Sequence, residues 1–63
     1  MTYAVFTQHS FSNTATASEY MRSASRDVAE AVAAKLMTEK FTERASGKRL
    51  KRYSVVYVEE IKE

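Results

Sequence analysis

The chain has no cysteine, proline or tryptophan, and only one glycine (Gly47) and one histidine (His9), in 63 residues. Without cysteine there are no disulfides and no thiolate zinc site, and such a chain fits the cytoplasm most simply. A single glycine excludes a glycine-rich phosphate loop. His9 has no second ligand near it in sequence, so neither a metal nor a cofactor is expected. Asp27 is the only aspartate, and the adjacent Glu59 and Glu60 point to opposite faces of any strand. No nucleophile, base and orienting group can be assembled from the remaining residues, so we expect a protein that is not an enzyme. No apolar run approaches the ~20 residues of a membrane span, and the first residues lack the basic-then-apolar pattern of a signal peptide. No internal repeat is present, and a single α+β domain over residues 1–63 with no membrane segment is the expectation.

Charge of both signs is present, but unevenly. The net charge of +2 conceals −1 over residues 1–39, +5 over residues 40–52 and −2 over the remainder. The basic segment carries Lys40, Arg44, Lys48, Arg49, Lys51 and Arg52 against Glu43 alone.

Three elements are predicted. Tyr3-Ala-Val-Phe-Thr7 is rich in β-branched and aromatic residues and reads as a strand over about 3–9. Residues 10–15 turn to Ser, Asn and Thr, whose side chains favour loops. Thr16-Ala-Ser-Glu19 has the spacing of a capping box, with Ala15 and Tyr20 as its hydrophobic staple. The stretch that follows is dense in helix formers. Its apolar residues fall in two rows, Val28, Val32, Leu36 and Ala29, Ala33, Met37, Phe41. A helix over about 17–45 is therefore expected, with Gly47 as the left-handed residue beyond its end. At 1.5 Å per residue its ~29 residues would span roughly 43 Å, long for so small a domain. The alternative ends the helix near Thr38 and makes Phe41 to Ala45 a strand that turns at Ser46-Gly47. Arg52 to Val58 is the clearest strand, extending to about residue 61. Strand, helix and strand in that order predict a β-α-β unit with parallel strands. A sheet of two strands under one helix is thin, and a chain of this size buries only about 60% of its unfolded surface, so completion by a homodimer is expected.

Alternation in the last strand places Tyr53, Val55 and Tyr57 on one face and Val56 and Val58 on the other. The smaller valines suit an alanine-lined helix, which leaves the tyrosine face for a partner. Beside it, Lys48, Arg49, Lys51 and Arg52 form a compact basic turn. Together these residues point to a non-enzymatic interaction protein, an inhibitor or regulator that meets a protein partner with an acidic surface, its cations steering encounter and its aromatics anchoring the contact. The size and composition also suit an accessory protein of a phage or mobile element. The alternative partner is DNA or RNA, with the same cations on phosphates and the tyrosines stacking on bases.

Overall fold

The computed structural model describes residues 1–11 and 16–62. The chain runs β1 (Thr2–His9), β2 (Ser18–Ser23), α1 (Arg26–Thr38), β3 (Lys40–Thr42), β4 (Arg49–Lys51) and β5 (Tyr53–Ile61). One helix packs on a mostly antiparallel three-stranded sheet of order β2-β1-β5, and β3 pairs with β4 as a separate two-stranded ribbon. This is an α+β domain. Among the described residues no helix is long and apolar enough to cross a membrane.

The helix is less than half the expected length. The segment from Ser18 to Ser23, expected as its first turns, is instead a strand antiparallel to β1, from Thr7 opposite Ser18 to Tyr3 opposite Ser23. The cause is tertiary. β1 carries the fully buried Ala4 and Val5, and a central strand must satisfy its backbone groups on both sides; β5 serves one side only. Glu19 does not cap a helix. Tyr20 is an extra residue in the β1–β2 ladder, between Met21 opposite Val5 and Glu19 opposite Phe6. That bulge shifts the alternation and brings Glu19 and Arg22 together, with Arg22 Nε donating to Glu19 Oε1 at 2.6 Å. Ala15, the other half of the expected staple, lies outside the described residues, as do residues 12–14 of the expected loop.

The helix starts where a second hydroxyl offers a cap. Ser25 has extended backbone angles (φ −101°, ψ 121°), and its Oγ accepts from the Val28 amide at 3.3 Å. Asp27 in the first turn and Lys35 in the last suit the helix dipole. At the other end Glu39 turns extended and its amide donates to the Leu36 carbonyl at 3.2 Å. Ser25→Ala is expected to destabilise the protein by about 1 kcal/mol, whereas Glu19→Ala, which removes only an exposed pair, should stay within about 0.5 kcal/mol. Urea unfolding of the two variants checks this ordering; equal losses would show that Ser25 is not the effective cap.

The expected parallel pairing of the first and last strands is also corrected. β1 and β5 are antiparallel over their whole length, from Thr2 opposite Ile61 to His9 opposite Tyr53. A β-α-β crossover nevertheless exists, because β2 and β5 both oppose β1 and so run parallel to each other on either side of it. The crossover helix leaves β2, not β1.

The core is small. Val5, Ala29, Ala33 and Leu36 form one buried cluster, edged by Tyr3, Met21, Val32, Tyr53, Val56 and Val58. Val56 and Val58 thus face the alanine side of the helix, as alternation suggested. The predicted helical stripe is buried only in part: Ala29, Ala33 and Leu36, drawn from both rows, are buried, while Val28 and Met37 are exposed. The radius of gyration is 13.2 Å, against roughly 10.6 Å for a compact domain of this length. The molecule is elongated.

Candidate functional site

Two surfaces emerge from this fold, and they separate residues that the sequence had grouped. The first is the β3–β4 ribbon, a basic arm leaving the domain between α1 and β5. Its register sets Lys40 opposite Lys51, Phe41 opposite Leu50 and Thr42 opposite Arg49. Because side chains alternate, Lys40, Thr42, Arg49 and Lys51 share one face, and Phe41 and Leu50 the other. Among the described residues of the ribbon, no carboxylate shares the cationic face. At the tip the Gly47 amide donates to the Glu43 carbonyl and the Glu43 amide to the Lys48 carbonyl, both at 2.8 Å. Gly47 has φ +69°, the left-handed conformation expected of it, but it closes the arm and not the helix. The arm is the alternative reading of residues 41–47 as a strand and turn.

Arg52 belongs to the root of the arm. Its Nε lies 3.8 Å from Glu39 Oε2 and its amide donates to the Glu39 carbonyl at 3.0 Å. Its carbonyl accepts from the Ser10 amide at 3.0 Å, and the Ser10 hydroxyl donates to the neighbouring Lys51 carbonyl. Lys40, Arg44, Lys48, Arg49 and Lys51, by contrast, enter no ion pair among the described residues. Of the four cations singled out in the sequence, Lys48, Arg49 and Lys51 are available to a partner and Arg52 is engaged. Lys40 is the cation that sequence spacing hid, since a helix over 17–45 would have carried it away from Lys51.

The second surface is the sheet face opposite the helix. Phe6 and Tyr57 stack there, 5.3 Å apart between ring centroids with planes 15° apart, and Val55 lies beside them. Tyr57 and Val55 are exposed by 43% and 40%. Tyr53 does not join them. Gln8 pairs with Val55 and His9 with Tyr53, leaving Ser54 as an extra residue, and this bulge turns Tyr53 toward the helix-side core. There its ring meets His9 at 4.9 Å. The Ser54 hydroxyl donates to the Gln8 carbonyl at 3.3 Å and holds the bulge in place.

A shallow cleft lies at the root of the arm, lined by His9, Ser10, Phe11, Phe41 and Arg52. Phe11 and Phe41 meet edge to face at 5.4 Å. Phe11 remains 67% exposed, an unusual position for a large apolar ring. This aromatic cleft was illegible in the sequence, because Phe41 had been placed on the helix and Phe11 in a loop. No group of three or more His, Cys, Asp or Glu among the described residues is arranged to hold a metal ion. No protein-family model, curated protein or solved structure matches the chain.

Proposed function

We propose that the protein is a non-enzymatic binding protein whose basic arm engages the phosphate backbone of DNA or RNA. The observation that carries this reading is Lys40 opposite Lys51, with Arg49 on the same face and no acid among them. Like charges directly opposite one another weaken a ladder, and a ribbon of two short strands has little stability to spare. Phosphate oxygens laid along that face offset the repulsion. Each phosphate neutralised also releases condensed counterions. A two-stranded ribbon has the width to enter the major groove of a duplex. The cleft at its root supplies aromatic rings and the Arg52 guanidinium, on which an unpaired base can stack. The purified protein is expected to bind mixed-sequence DNA and RNA, with log K falling linearly in log[salt] by roughly 0.9 per phosphate contact on duplex. No binding at low salt would sink the reading.

The stacked and uncovered Phe6–Tyr57 pair favours a second reading. In it the protein is an inhibitor or regulator docking on an acidic surface of a larger protein, with Tyr57 and Val55 as anchors and the arm cations steering encounter. Tyr57→Ala separates the two. If the arm binds nucleic acid, the substitution leaves affinity for DNA and RNA within about twofold; a tenfold loss would place the sheet face inside the nucleic-acid site. On either reading the protein works in the cytoplasm.

A further inference from the structure

The three-stranded sheet has two edges, and they differ in kind. β2 is short, bulged at Tyr20 and carries the charged Glu19 and Arg22, all features that discourage pairing with another strand. β5 has none of these over most of its length. It is nine residues long, and Val55-Val-Tyr-Val58 contains no charge, proline or glycine. Its one bulge lies at the Ser54 end, tied back to Gln8. Among the described residues no strand lies on its far side, so alternate backbone N–H and C=O groups of β5 point outward unpaired.

The distribution of charge along the strand identifies its occupant. Lys51 and Arg52 lead into β5, while Glu59 and Glu60 lie toward its end. Antiparallel pairing of this strand with itself sets the basic start of each copy against the acidic end of the other, twice over. Parallel pairing would set like against like. With Val56 opposite its own symmetry mate, Val55 of one copy stands across from Tyr57 of the other, and beyond the extra residue Ser54 Arg52 stands across from Glu59 and Lys51 across from Glu60.

We propose that the free edge of β5 binds the same edge of a second copy, antiparallel about a two-fold axis normal to the sheet, forming a continuous six-stranded sheet. The contact is closed and self-complementary, so assembly stops at the dimer. Both helices lie on one face of the joined sheet, and the two small cores become one layer. This arrangement does not depend on what the arm binds.

The test is a charge exchange read by light scattering. The unaltered protein is expected to have the mass of a dimer at high micromolar concentration, with a melting temperature that rises with concentration. Glu59→Lys with Glu60→Lys, and separately Lys51→Glu with Arg52→Glu, should each weaken self-association at least about a hundredfold by juxtaposing like charges. Mixing the two variants should restore a dimer containing one chain of each. That restoration also covers the case in which either variant alone fails to fold. A monomeric unaltered protein would overturn the proposal, as would a mixture that does not pair. Two variants that each remain dimeric would overturn it as well, and would move the contact to the Phe6–Tyr57 face.

Discussion

Replacing Lys40, Arg49 and Lys51 together by glutamine is expected to reduce the slope of log K against log[salt] by about 2 to 3 and to abolish nucleic-acid binding at physiological salt, where a few phosphate contacts are all that sustain it. The choice of residues follows from the register. These three cations share one face of the arm and are unpaired among the described residues, whereas Arg52 is held by Glu39 and the backbone around Ser10. Arg52→Gln would therefore loosen the root of the arm as well as remove a charge, and its effect could not be assigned to either. The triple variant leaves that root intact. Glutamine keeps most of the aliphatic stem and removes the Lys40–Lys51 repulsion, so the melting temperature should stay level or rise slightly. Binding with an undiminished salt slope would show that the arm is not the phosphate site. A lost slope with a lower melting temperature would instead mean that the arm had come apart.

How much of this was legible in the sequence depended on whether the deciding interactions were local. Val55 to Val58 formed a strand as read, and Val56 and Val58 turned to the alanine side of the helix, because β-branched density and period-two alternation act within a single segment. Thr16-Ala-Ser-Glu19 misled because a capping box is worth little beside the unpaired side of β1, a demand set by residues more than ten positions away. Once Ser18 to Ser23 became a strand, Ser25 was the next hydroxyl able to start a helix. The reversal from parallel to antiparallel pairing of β1 and β5 followed from that one change.

The candidate site was legible in composition but not in geometry. Residues 40–52 are visibly basic, and Gly47 has the left-handed conformation expected of it, although a turn at Ser46-Gly47 belonged only to the alternative reading. Register decides which cations act together, however, and a slip of one position would have put Phe41 among the lysines instead of in the cleft. Two single-residue bulges, at Tyr20 and Ser54, reset the alternation of β2 and β5. The second took Tyr53 away from Val55 and Tyr57 and gave it to the core. No periodicity argument reveals an extra residue whose cause lies in the neighbouring strand.

Leu36→Ala should leave the protein largely unfolded at room temperature, while Met37→Ala, one position away, should change stability by no more than about 0.5 kcal/mol. The sequence assigns the two residues equal standing, in adjacent rows of one apolar stripe. In the fold Leu36 is 3% exposed within the cluster of Val5, Ala29 and Ala33, and Met37 is 57% exposed. Truncating a buried leucine costs about 2–5 kcal/mol, and most where neighbours cannot collapse into the cavity. Two of the three other members of this cluster are alanines, which have no side chain to move in. A chain of 63 residues has a total stability of roughly 3–9 kcal/mol, so the loss is comparable to all of it. Circular dichroism on thermal melts of the two variants, at one protein concentration, reads the difference directly. A cooperative melt for Leu36→Ala within a few degrees of the unaltered protein would mean that the helix is held to the sheet mainly by contacts outside this cluster, and that its exposed side, from Val28 to Met37, is covered in solution.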